Sequence, residues 1–146
     1  MARRDTKNRT KYWCSNHVPG MSLLLADFTA HDYAPHRHDA YVIALTESGG
    51  ADVTSGRVTE AVSPAVLFVS NPGENQSARM GTSKQWLYRS VYLTRPATTF
   101  IAGRLGIGGI PRFAKSMFRD TDLVGRFARL HRAFETEADA LPRTNA

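Results

Sequence analysis

Between Met21 and Leu93 the chain cannot hold one backbone direction for long, and this limits its fold more than any other feature. Turn-forming residues recur at short intervals: Ser48-Gly49-Gly50, Ser55-Gly56, Ser63-Pro64, "NPGEN" from Asn71, and "GTSK" from Gly81. Between them stand brief apolar or alternating runs: "MSLLLADF", "YVIALTE", "ADVT", "RVTEAV", "AVLFVS", "QSARM" and "QWLYRSVYL". Such runs are the length of strands, and several alternate with period two. The spacing predicts about seven or eight strands in roughly 70 residues, hence a mainly β chain built as a barrel of jelly-roll type. "AVLFVS" has no polar face and reads as a strand buried on both sides. "TAHDYAPHRHDA" is polar and broken by Pro35, so it reads as a loop or a strand edge.

The pattern changes after Arg95. Pro96 suits the first turn of a helix, and "PATTFIAGRLG" fits a short helix ending at Gly106. "IGGIPRF" reads as a glycine-rich connector. "RDTDLVGRFARLHRAFETEADA" gives a longer helix, capped by Asp120 or Thr121. Within it Leu123, Phe127, Leu130 and Phe134 recur at spacings of four, three and four. That stripe can pack on the chain's own barrel or on a partner chain, because the same repeat makes a coiled-coil seam. The expected organisation is an N-terminal arm over residues 1–20, a barrel over 21–95 and a helical dimerisation or linker region over 96–140. "ALPRTNA" reads as a linker running on into a longer protein.

The formal net charge is +6, which invites a nucleic-acid partner. Its distribution argues otherwise. Arg3, Arg4, Lys7, Arg9 and Lys11 share the first eleven residues with one acid, Asp5, and the remaining chain nearly balances at 14 basic to 12 acidic residues. The basicity belongs largely to a solvated arm. Cys14 is the only cysteine, so no internal disulfide forms. No run is apolar enough for a signal peptide or a membrane span, and a cytoplasmic chain is expected. No Walker loop or nucleophile elbow is present. "GRLGIGG" follows a helix rather than a strand, so it reads as a connector and not a phosphate loop.

The chemistry-bearing residues centre on His36 and His38. Histidines at i and i+2 on a strand share a face and can offer two metal ligands, but zinc or iron needs at least a third. The stretch resembles the metal motif of the cupin superfamily, which carries His-x-His, a Glu a few residues on, a Gly, and a second Pro-x-Gly-x-x-His motif. His36, His38 and Gly50 match it. The Glu position falls on Ile43, and the final His position on Gln76. With those ligands missing, neither a metal nor another cofactor is expected, and no catalytic residue is assigned. His17, His31 and His131 are expected to be surface or locally bonded side chains.

A more specific resemblance covers about Trp13 to Phe134. "PHRHDAYVIALTESGG", "SPAVLFVSNPGENQ", "WLYRSVYLTRP" and "DLVGRFARLHRAFE" are similar, in order and spacing, to the N-terminal effector-binding and dimerisation domain of AraC-type transcription regulators. Pro64-Ala65 and Gln76 depart from the family pattern. The resemblance implies a cupin-like β-barrel followed by C-terminal α-helices, with a small-molecule effector inside the barrel and a homodimer through the terminal helix. It also implies that DNA is reached only through a C-terminal helix-turn-helix domain beyond this chain.

Alternation along the strand from Trp86 puts Trp86, Tyr88, Ser90 and Tyr92 on one face, whose rings and hydroxyls suit a pocket. His38, Ile43 and Gln76 are expected to point inward with them, and His36 to sit at the rim. Leu123, Phe127, Leu130 and Phe134 are the expected dimer contacts. Two other classes of function remain open: a small cupin enzyme with an atypical metal site, and a dimerisation module that binds no ligand.

Overall fold

A computed structural model describes residues 8–141. Nine strands come first: β1 (Arg9–Cys14), β2 (Met21–Phe28), β3 (Tyr33–Arg37), β4 (Tyr41–Gly49), β5 (Ala51–Ser55), β6 (Val58–Val62), β7 (Leu67–Ser70), β8 (Asn75–Arg79) and β9 (Trp86–Leu93). Helix α1 (Arg95–Leu105), a two-residue strand β10 (Met117–Phe118) and helix α2 (Thr121–Ala140) follow. Two antiparallel sheets result, one ordered β1-β2-β9-β4-β7-β10 and the other β3-β8-β5-β6. The mainly β architecture is the one the turn spacing predicts, and the helices after it are those expected from the change of pattern past Arg95.

The chain passes from one sheet to the other between β4 and β5, and this explains the glycine pair. Gly49 has φ +75°, and a Cβ there would overlap the Gln85 carbonyl. The Gly50 N–H donates to that same carbonyl at 3.0 Å. The next hairpin closes at Ser55 opposite Val58. Its turn is therefore Gly56-Arg57, one residue on from the expected Ser55-Gly56, with Gly56 supplying φ +62°.

Strand pleating divides the apolar residues between two cores. Ala26, Phe28, Val53, Phe68, Ala78 and Trp86 pack between the sheets. Met21, Leu23, Val91 and Ala97 form the second core on the outer face of the six-stranded sheet, with Trp13, Phe127 and Phe134 against them. The register fixes the division: Leu24, Ala26 and Phe28 pair with Ser90, Tyr88 and Trp86, whereas Leu23 pairs with Val91 and Leu25 with Arg89.

The expected arm over residues 1–20 needs correction. Residues 9–14 are strand β1, paired along its whole length with β2 from Arg9↔Asp27 to Cys14↔Ser22. "RTKYWC" carries too few apolar residues to announce a strand; Lys11 and Trp13 face α2, where an ion pair and a ring contact replace aliphatic packing. Residues 1–7, and 142–146 of the expected linker, lie outside the described residues.

Helix α1 ends as its sequence predicts, with Gly106 left-handed at φ +70°. The segment after it is tied down. Asn71 clamps Phe113, donating to its carbonyl at 2.9 Å and accepting from its N–H at 2.7 Å. Val69 N–H donates to the Ser116 carbonyl, and β10 pairs with β7. Asn71 also donates to Glu74. The "NPGE" turn therefore serves as a bracket for the connector.

Candidate functional site

A cavity of about 60 Å³ lies between the two sheets. Its walls come from β3, β4, β5, β7, β8 and β9. The apolar side is Val42, Ala44, Val53, Phe68 and Ala78, and the polar or aromatic side is Tyr33, His36, Gln76, Ser77, Trp86, Tyr88, Ser90 and Tyr92. Gln76, Trp86, Tyr88, Ser90, Tyr92 and His36 are thus brought together. The alternation of β9 places four of them, and the cross-strand pairing of His36 with Gln76 places the other two.

Ile43 does not line the cavity. Val42 and Ala44 do, because Ile43 pairs with Val91 on the pleat that faces outward, toward the second core. Counting residues from the histidine pair misses the loop at 38–40, which sets the phase of β4. His38 also stands outside the lining, just past the end of β3. Its ring lies 4.7 Å from that of His36 and 5.3 Å from Tyr92. Its carbonyl accepts from Gly73 at 2.9 Å, which joins the His-x-His segment to the "NPGE" turn. Burial, and then the neighbouring His36, lower the His38 pKa.

Tyr33 was not singled out in the sequence, yet its hydroxyl bonds the Tyr88 hydroxyl at 2.5 Å. Burial raises the pKa of Tyr33, Tyr88 and Tyr92, so all three phenols are neutral at physiological pH. The Trp86 indole donates to Thr46 Oγ1 at 3.1 Å. Two lining atoms are left over. Gln76 Nε2 and Ser90 Oγ are buried with no hydrogen-bond partner, on residues only 8% and 1% exposed. Ser90 Oγ is close enough to Tyr92 to affect its hydroxyl, but it completes no hydrogen bond of good geometry.

The donor set does not fit a transition metal. The positions that would complete a cupin site supply aliphatic carbons and a neutral amide, and His36 Nδ1 is engaged by the Ala34 carbonyl at 2.8 Å. Among the described residues no group of three His, Cys, Asp or Glu side chains comes together to hold one.

Behind β9, on its outer face, lies a second polar cluster. Arg89 Nε donates to Glu47, and its Nη1 donates to Glu135 at 2.8 Å and to His131 Nδ1 at 3.0 Å. His131 Nε2 donates to the Ser90 carbonyl at 3.0 Å. His131 is 1% exposed, the centre of the buried face of α2 and not a surface residue. This corrects the seam expected on α2. Phe127 and Phe134 are used by the chain's own second core, whereas Leu123 and Leu130 are 41% and 54% exposed. At ~100° per residue His131 lies roughly a quarter turn from the leucine line. Apolar periodicity alone finds the wrong centre, because the true one is polar.

The His131 geometry has a pH consequence. Nε2 carries the proton, and a second proton on Nδ1 would face the Arg89 guanidinium. Burial, the largest cause, lowers the His131 pKa. The unfolded chain therefore protonates at higher pH than the folded one. The stability this residue contributes is complete above about pH 6.5 and is lost as pH falls through the lowered folded value. Glu47 and Glu135 face the same ring; burial raises the Glu135 pKa, but hydrogen bonds from Arg89 and Lys11 outweigh it, leaving it lowered, so its loss belongs to more acidic solutions. Between about pH 7 and about pH 5 the melting temperature is expected to fall more steeply for the native chain than for His131→Gln, which keeps a donor and does not titrate. Equal slopes would remove His131 as the cause.

Comparisons with known proteins agree with this geometry. The sequence pattern of the AraC-like ligand binding domain family matches residues 18–144. No curated protein matches in sequence. Among solved structures, a Cupin 2 conserved barrel domain protein from Salinispora arenicola superposes with TM-score 0.55 at 16% identity, over 70% of this chain and 88% of that one. Vicilin from hazelnut, Corylus avellana, gives 0.54 at 11% identity over 63% of this chain. The DMSP lyase DddQ from Ruegeria pomeroyi gives 0.53 at 12% identity over 61%. This chain spans 28% of the vicilin and 48% of the lyase. At these identities the likeness is one of fold.

Proposed function

Because this chain belongs to the family of AraC-like ligand binding domains, we propose that it is the sensing domain of a transcription regulator. A small-molecule effector enters the cavity, and its presence is passed to a DNA-binding domain joined beyond α2. One observation carries this reading: two buried polar atoms, Gln76 Nε2 and Ser90 Oγ, stand in the cavity without partners. Buried polar groups are nearly always bonded, and a ligand would supply what they lack. Ser90 also gives the reading its route outward. Its hydroxyl faces the cavity, while its carbonyl holds His131 of α2. A ligand that draws on Ser90 acts on the strand to which the helix is fastened.

On this reading the domain binds and does not catalyse, and it works in the cytoplasm with its DNA. The lining supports binding, since it offers an amide, hydroxyls, aromatic rings and the single imidazole of His36, with neither a carboxylate nor a thiol beside it. No helix among the described residues is long and apolar enough to cross a membrane. A thermal-shift screen with small metabolites tests the reading. An effector present at 100 times its Kd is expected to add about 2.7 kcal/mol of stability. The reading fails if nothing stabilises the chain, or if a stabiliser works equally well on Ser90→Val.

The homodimer belongs to the same proposal, with Leu123 and Leu130 as its contacts. Both are large apolar side chains left in water on one side of α2. Leu130→Asp is expected to convert a dimer of this 16.2 kDa chain to a monomer in light scattering. An unchanged mass would take the helix out of the interface.

A further inference from the structure

We infer that the cavity is built for a small neutral ligand bearing one strong hydrogen-bond acceptor, such as a cyclic ketone or lactone, and not for an acid or a polyol. The inference rests on the effector-binding reading above and narrows it to a chemical class.

The first argument is a count of hydrogens. Gln76 Nε2 offers two donor hydrogens and has no partner, and Ser90 Oγ has none either. In the Tyr33–Tyr88 pair one hydroxyl donates to the other, so the accepting hydroxyl keeps a hydrogen of its own. Trp86 is already matched to Thr46. The Gln76 amide nitrogen can only donate, so the partner it lacks is an acceptor, and the Ser90 and tyrosine hydroxyls can donate to the same atom. A carbonyl oxygen has two lone pairs and can take two of these donors at once.

The second argument concerns charge. The lining holds no Lys, Arg, Asp or Glu. The nearest guanidinium on the same strand, Arg89, is on the opposite pleat and is occupied by Glu47, Glu135 and His131. A ligand carboxylate would meet no fixed cation there, only the His36 imidazole, whose Nδ1 is already held by the Ala34 carbonyl, and burying a charge without a fixed counter-charge costs far more than burying a neutral carbonyl. The resistance of the three tyrosines to ionisation reports the same environment.

The third argument separates a carbonyl compound from a polyol. Each hydroxyl of a sugar brings a hydrogen that needs an acceptor once buried. Acceptors are confined to the polar wall, so a molecule with hydroxyls all round it would leave those facing Val42, Ala44, Val53, Phe68 and Ala78 unpaired. With about 60 Å³ available, the ligand is a compact one that leaves most of its surface on these apolar walls.

The test uses four probes of matched size: cyclopentanone, methylcyclopentane, cyclopropanecarboxylate and glycerol. Each is titrated into the native chain while the Gln76 side-chain amide is followed by NMR. Cyclopentanone is expected to bind saturably and move that amide resonance. The carboxylate and glycerol are expected to bind at least tenfold more weakly. Gln76→Met should weaken cyclopentanone at least tenfold and leave methylcyclopentane unchanged. The same variant should melt at higher temperature than the native chain, because it removes a buried donor with no partner. That rise also shows that the variant is folded. Tighter binding of the carboxylate or glycerol than of the ketone overturns the ligand class and leaves the cavity reading standing. If no probe moves the Gln76 amide, both fail. If Gln76→Met keeps full affinity for the ketone, or melts lower, Gln76 has another partner and the inference is wrong.

Discussion

Arg89→Met should lower the stability of this domain by about 3–5 kcal/mol, a drop in melting temperature of roughly 6–20 °C. Arg89 is 8% exposed and serves three partners on two different elements. It binds Glu47 within its own sheet and Glu135 and His131 on α2. Methionine would fill much of the space but leave two carboxylates and one imidazole nitrogen without their donor. Removing one member of a buried ion network costs more than the network contributes, because the remaining charges stay desolvated. Glu47 retains Arg132 and Glu135 retains Lys11, which moderates the loss on both sides. Urea melts measure the change directly. A cost below about 1 kcal/mol would put these contacts in the class of exposed ion pairs and release α2 from its assigned anchor. Adding Glu135→Gln to Arg89→Met should recover part of the loss, since it removes a carboxylate left with only the more exposed Lys11 as its partner.

Trp86→Ala is expected to cost a similar amount, about 3–5 kcal/mol, by a different route. The indole packs 4.5 Å from Tyr88 and 6.0 Å from Tyr33, between centroids, and touches Phe28 edge-on. Its loss removes this packing and deprives buried Thr46 of a donor. It also enlarges the cavity from one side. Added indole should therefore raise the melting temperature of the variant by occupying the vacated volume, and should leave the native chain nearly unchanged. No response in the variant would mean that the walls close over the gap, so that the space between the sheets is not held open by its frame.

These two residues mark what could be read from the sequence and what could not. Turn residues announced most of the strands, because a glycine or proline at a strand end acts locally. Alternation announced the inward face of β9, because pleating is also local. The position of Ile43 was not legible. Its face depends on how the chain rounds the loop at 38–40, and a shift of one residue reverses every side chain of a strand. β1 escaped because it is held by β2 and by charges on α2, not by its own apolar content. The centre of α2 escaped for the same reason. A signal was nevertheless present: Arg89 is the one charged residue on a strand face otherwise formed by Leu87, Val91 and Leu93, and such a residue requires a buried partner. Glu47, His131 and Glu135 were available in the sequence to supply it. The connector's attachment through Asn71 to Phe113 depends on a contact between residues 42 apart, which no local pattern encodes.

The contacts between the first hairpin and α2 have a consequence for how the domain comes together. Lys11 of β1 meets Glu135 and Asp139, and His17 in the turn after β1 meets Glu137, so contacts of 124 and 120 residues' separation fasten the first hairpin to the last helix. Closing so long a loop is entropically costly and is favoured only after the intervening sheets exist. Until α2 docks, the second core on β2 and β9 is uncovered on one side. Docking of α2 is therefore expected late in folding, as the step that covers the second core.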